Sequence, residues 1–142
     1  MSASAIPAWA LGTELGPLTL APVTRLDLIK YAGASGDYNP IHTIDAAAAE
    51  AGLPGVIQHG MLTMAKVGLL FSPYGESGFV SLLEVRFAGM VSVGDVLTVG
   101  GRITEIARRD EGQVARVEVT VCNQRDQVVV AGQAEFTYFA AE

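Results

Sequence analysis

The chain is poor in the residues that several common chemistries require. It carries a single cysteine, Cys122, among 142 residues. That excludes an internal disulfide, and no Cys/His spacing of the zinc-binding kind occurs. Cys122 lies in a strand-like pattern and reads as a small structural residue. Nine Lys and Arg face fifteen Asp and Glu, for a net charge of −6. No basic run exceeds Arg108-Arg109, so the concentrated positive face of a nucleic-acid binder is missing. No apolar run approaches the ~20 residues of a membrane span. The opening M-S-A-S-A-I-P-A-W-A has neither the basic flank nor the apolar stretch of a secretory signal. Together these absences predict a soluble, cytoplasmic protein with no nucleic-acid or membrane partner. Internal repeats and low-complexity linkers are also lacking.

Hydrophobic residues make up 50% of the chain, enough for one core. The length fits one domain over residues 1–142, with residues 1–14 expected to be loose. A short strand is expected around Leu18 and Leu20. Thr24 reads as a helix N-cap with Asp27 at the helix's positive end, and Leu26, Ile29 and Lys30 with Tyr31 as a short helix with one apolar side. Asp45 reads as the cap of a second helix, Ala46 to Ala51, stopped by Gly52 and Pro54. Gly60 to Phe71 reads as a long helix, apolar all round except for Lys66, hence buried. From Ser81 onward the period becomes two, with Gly100-Gly101 expected as a bulge or bend. In the later strands Ala115, Val117, Val119 and Val121 form one face. Val130, Gly132, Ala134, Phe136 and Tyr138 form another. A buried helix followed by an antiparallel meander predicts an α+β fold.

The most information-rich stretch is Tyr31 to His42, Y-A-G-A-S-G-D-Y-N-P-I-H. Gly36 can end the first helix in a left-handed conformation. Pro40 pushes Asn39 out of the helical region, which predicts a stiff, non-helical loop. Asp37 and His42 then stand at its two ends. A carboxylate and an imidazole over a common point suit proton transfer to and from one water. The same residues also build an ordinary turn, and a lone histidine is commonly structural. Spacing by itself leaves both readings open.

The stretch resembles the signature of the MaoC-like, R-specific enoyl hydratases of the hotdog superfamily: an aromatic, a small-residue run, then G-D-x-N-P-[IL]-H. Tyr31, Gly36, Asp37, Asn39, Pro40, Ile41 and His42 match it without a gap. Gln58-His59-Gly60-Met61-Leu62 resembles the family's H-G-M-[LT] helix start. The likeness runs from about Thr24 to the chain's end. It implies a hotdog fold, a curved antiparallel sheet wrapped around a long central helix. It also implies reversible hydration of a trans-2-enoyl thioester, carried by coenzyme A or acyl carrier protein, to the (3R)-3-hydroxyacyl thioester. Asp37 would activate water and His42 would exchange a proton with the substrate's C2. The N–H at Gly60, at a positive helix end, would hold the enolate oxygen. Asn39, chiefly orienting the loop, with Tyr31 and Met61, would border the substrate. Neither metal nor cofactor is implied.

His59 reads as a structural histidine, Tyr38 as a wall residue, and Lys30, Arg86 and Arg102 as the basic residues available to coenzyme A phosphates. One sheet on one helix is a thin core, which predicts a homodimer, or a heterodimer with a related subunit. Two other readings are an acyl thioesterase and a non-catalytic acyl-binding subunit of a heterodimeric dehydratase. The joined Gly-Asp-x-Asn-Pro-Ile-His block argues against the first. The presence of both Asp37 and His42 argues against the second.

Overall fold

Alternation of Val and polar residues gives the sheet its backbone. In the computed structural model, which describes residues 8–110 and 112–139, five strands pair antiparallel throughout. They are β1 (Glu14–Thr19), β2 (Gly78–Phe87), β3 (Thr98–Arg109), β4 (Gly112–Cys122) and β5 (Val128–Tyr138). Their spatial order is β1-β3-β4-β5-β2. Only β3, β4 and β5 therefore form the expected meander. β2 crosses to the far edge and pairs with β5, as in Val85 opposite Gly132. Ala115, Val117, Val119 and Val121 are fully buried, as the period-two pattern predicts. Ala134, Phe136 and Tyr138 on β5 join them in one core.

Three helices lie between β1 and β2: α1 (Arg25–Ser35), α2 (Asp45–Glu50) and α3 (Gly60–Val67). Val67 of α3, followed by Leu70 and Phe71, packs on the sheet in the expected α+β, hotdog layout. Several details differ from expectation. The long helix stops being α at Val67; Gly68–Leu70 and Ser72–Tyr74 continue as single 3-10 turns. Gly68 and Pro73, both poor in helix interiors, account for the break. The helix is not buried all round either, since Met61 and Leu69 are exposed. On α1 the buried residues are Leu28 and Ala32, while Leu26 and Ile29 face outward. Gly100-Gly101 is no bulge: the register shift in β3 falls between Ile103 and Glu105. A Cβ on Gly101 would come 2.9 Å from Val117 and 3.2 Å from Leu70, so this glycine admits the segment after α3.

The expected looseness of residues 1–14 fails from Trp9 onward, while residues 1–7 lie outside the described part. Trp9 packs edge-on against Tyr74, Phe136 and Tyr138, with centroids 4.9–5.4 Å away. Gly12 donates its N–H to the Ile103 carbonyl at 2.8 Å. Among the described residues no helix is long and apolar enough to cross a membrane.

Candidate active site

The site begins with the way α1 starts and stops. Thr24 caps it in a reciprocal box: Asp27 N–H donates to the Thr24 hydroxyl at 3.2 Å, and Thr24 N–H donates to the Asp27 carboxylate at 2.8 Å. The Thr24 backbone bond, then its hydroxyl bond, hold the Asp27 carboxyl below the usual carboxylate range. Gly36 ends α1 at φ 76°, its N–H returning to the Ala32 carbonyl. Immediately beyond it the chain folds on its own side chains. Asn39 N–H donates to Asp37 Oδ1 at 3.2 Å, and Ile41 N–H donates to Asn39 Oδ1 at 3.2 Å. Two such local turns in series are what short polar side chains before proline favour. Pro40–His42 then forms one 3-10 turn, so the loop is partly helical after all. Asn39 is a loop former by this geometry. Its side-chain oxygen is already engaged.

His42 is buried, at 7% exposure. Its Nδ1 lies 2.7 Å from the Ile57 carbonyl. A carbonyl only accepts, so Nδ1 carries the proton and Nε2 is left as the ring nitrogen that can take one up. That Nε2 is 3.8 Å from Asp37 Oδ2. The Asp37 side chain is 51% exposed, so the pair opens to solvent on the acid's side.

His59 joins them, which sequence reading missed. It is 1% exposed and places Nε2 3.1 Å from the Asp37 carbonyl oxygen. Its ring stacks on His42, centroids 3.7 Å apart and planes at 21°. Tyr31 meets the His59 ring edge-on at 4.8 Å. The sequence signal was there: these are the chain's two histidines, and one directly precedes a helix start. Asp37, His42 and His59 offer ligand atoms within 4.8 Å of one another, as a metal site would. Stacked rings, however, direct their in-plane lone pairs side by side and do not converge them on one ion.

Gly60 follows His59 as the first residue of α3, and the helix has no side-chain cap. No acceptor among the described residues takes the N–H of Gly60 or Met61. Such donors at a helix start carry its positive dipole end. The Phe87 ring covers the Gly60 α-carbon, where a Cβ would come within 3.1 Å of it. Met61, the next residue, is exposed; Tyr38, in the loop after α1, is exposed as well. Asp45 caps nothing: the N-cap of α2 is Ile44, and Asp45 pairs with Arg25 at 2.8 Å.

A concavity of about 730 Å³ lies over β2, β4 and β5 and includes Arg86 but neither Asp37 nor His42. Arg102 lines another concavity by β1. Neither arginine joins the pair. A cleft of about 500 Å³ between α1 and α3 is more apolar, lined by Leu20, Pro22, Leu62 and Leu69; it too excludes Asp37 and His42, but Tyr31 at its wall touches His59. Lys30 and Lys66 reach it. Burial pushes the Lys66 ammonium below the usual lysine range, and it donates to Gln58 at 3.2 Å.

Comparison with known proteins identifies the family and the fold. Residues 9–125 match the family described as MaoC like domain. The chain is 38% identical over 116 residues to a fatty acid synthase subunit beta of Aspergillus oryzae, covering 78% of this chain and 5% of that one. It thus spans a small fraction of the synthase subunits it matches. It is 27% identical over 114 residues to 3-hydroxybutyryl-CoA dehydratase of Methylorubrum extorquens, covering 79% and 71% of the two chains. The solved R-hydratase PhaJ1 of Pseudomonas aeruginosa superposes with a TM-score of 0.81 at 29% identity, over 94% of this chain and 84% of that one.

Proposed function

Because this chain belongs to the MaoC-like domain family, we propose that it reversibly hydrates trans-2-enoyl thioesters to (3R)-3-hydroxyacyl thioesters. The observation that carries the reading is the opposition of Asp37 Oδ2 and His42 Nε2 at 3.8 Å. That separation is too long for a direct hydrogen bond. It fits one water held at about 2.8 Å from each atom. With Nδ1 bonded to Ile57, only Nε2 of His42 can exchange a proton there.

The pair starts with His42 Nε2 free to take up a proton, as its Nδ1 bond to Ile57 leaves it. The water oxygen bonds to substrate C3 while one water proton passes to Asp37. The C2–C3 π electrons move toward the thioester, and the enolate oxygen is held by the free N–H at Gly60 and the helix end. That proton passes from Asp37 to His42 Nε2, which gives it to C2. The pair is thereby left as it began, and dehydration retraces the steps. Water is the only co-reactant in this balance.

The cleft beside Tyr31 is the proposed seat of the acyl chain, with coenzyme A or acyl carrier protein as carrier. The active form is proposed as a dimer, of two copies or with a related subunit. β2 is an edge strand that leaves Phe79 53% and Phe87 48% exposed. An unpaired apolar edge of this kind invites pairing. Because Phe87 also covers Gly60, a partner on that edge would border the site.

The test is to follow loss of the conjugated enoyl absorbance and release of free thiol together, on crotonyl-CoA and a longer enoyl thioester. Hydration removes conjugation without releasing thiol. Thiol release would make the protein a thioesterase, and no change in either signal would make it a binding subunit.

A further inference from the structure

We propose that His59 is a positioning residue that fixes both members of the Asp37–His42 pair; this rests on the hydratase reading above. Residues 33–40 are exposed along their whole length, so little packing holds Asp37 in place. His59 supplies a fixed point from the buried side. Its Nε2 lies 3.1 Å from the Asp37 carbonyl oxygen and, facing an acceptor, must carry the proton. The same ring lies against the face of His42 at 3.7 Å, which blocks rotation of that imidazole away from Ile57. Tyr31 closes the other side of His59. One rigid ring, 1% exposed, thus ties the acid's backbone and the base's plane to the start of α3.

The plainer reading is a core histidine that merely fills space, and one observation counts against it. With Nε2 donating, Nδ1 is a bare acceptor, and it is buried with no hydrogen-bond partner. An apolar side chain of similar size would fill the space without that penalty. The imidazole does what such a side chain cannot: it donates from one edge while presenting a flat face to His42. Misplacement of reacting groups by about 1 Å can cost roughly 100-fold in rate, so a residue touching no substrate can matter this much.

Three variants separate the two contacts. His59→Gln keeps an amide N–H near the Nε2 position and loses the stack. His59→Phe keeps the stack and loses the donor. His59→Leu loses both. On folded protein assayed with crotonyl-CoA, kcat should fall about 100-fold in the Leu variant and by less in the Gln and Phe variants. KM should stay within about threefold in all three, because the residue touches no substrate. A second readout does not depend on turnover. The chain has two histidines, so each variant leaves His42 as its only imidazole. Long-range ¹⁵N–¹H correlation spectra should show His42 in the Nδ1–H form in the wild type. The Leu variant should show a mixture of tautomers. The inference is overturned if the Leu variant, still folded, keeps wild-type kcat and an unchanged His42 tautomer. It is equally overturned if all three variants unfold below the assay temperature, which would make His59 a packing residue. If the wild type itself hydrates nothing, the hydratase reading fails, and the spectra still decide whether His59 holds His42.

Discussion

His42 Nε2 and Asp37 Oδ2 face each other at 3.8 Å across the mouth of a loop only six residues long. The two atoms are held there by different parts of the chain. Asp37 is fixed by its own local turn with Asn39, whereas His42 is fixed from a distance by the Ile57 carbonyl. Loss of Ile57's position would therefore free Nδ1 of the imidazole while the Asn39 turn still holds the acid. This division gives each member of the pair a separate handle for mutagenesis.

At Gly60 the donor role and the packing role can be separated. Gly60→Pro removes the N–H and keeps backbone angles that suit a first helical turn. Gly60→Ala keeps the N–H but places a methyl about 3.1 Å from the Phe87 ring. Phe87 is half exposed and can yield by the few tenths of an ångström required. Pro should therefore lose about 2.7–4 kcal/mol of transition-state stabilisation, the usual cost of one oxyanion donor. Ala should lose much less, at equal folded fraction by thermal melts. Equal turnover in two folded variants would remove Gly60 from the site.

The cap of α1 predicts an acid-side instability. The Asp27 carboxyl has its folded-state value lowered by Thr24, so its contribution to stability is present above the unfolded carboxyl value. It is lost as pH falls through the lowered folded value. Thr24→Ala should cost about 1 kcal/mol at neutral pH. The gap to wild type should narrow on acidification through the carboxylate range. Urea melts at several pH values check this, and a gap independent of pH would show that Asp27 does not take part.

The edge strand predicts association. Light scattering at micromolar concentration should return twice the 14.9 kDa chain mass, or a heterodimer when a related subunit is added. Phe79→Lys puts a charge on the exposed edge of β2 and should shift the balance toward monomer. A stable wild-type monomer would contradict the dimer.

Local rules made much of this legible. Thr24 announces the start of α1, Gly36 its left-handed end, and the Val alternation of β4 the buried face; the reciprocal bond from Asp27 back to Thr24 emerged only in the structure. What sequence hid depends on contacts between distant parts. Asp45 was read as a cap because caps are local, yet Arg25 claims it across the loop. Apolarity points to Leu26 and Ile29 as the covered side of α1, yet burial goes to Leu28 and Ala32, and it is Leu28 that joins the common core. His59 looked structural because nothing in its neighbours reveals that Asp37 and His42 fold back onto its ring, 22 and 17 positions away in the chain. The place of β2 beyond β5 likewise follows from long-range pairing that no turn residue encodes.

The most direct test of the central claim is a double-variant cycle on crotonyl-CoA hydration, with Asp37→Asn, His42→Ala and the two combined. If the pair acts on one water, each single variant should lower kcat by at least about 100-fold. The combined variant should be little worse than either alone, because the two act as a unit. Thermal melts should stay near wild type for Asp37→Asn, whose side chain is half exposed. Near-native turnover in either single variant, or losses that multiply in the combined one, would contradict the shared-water account.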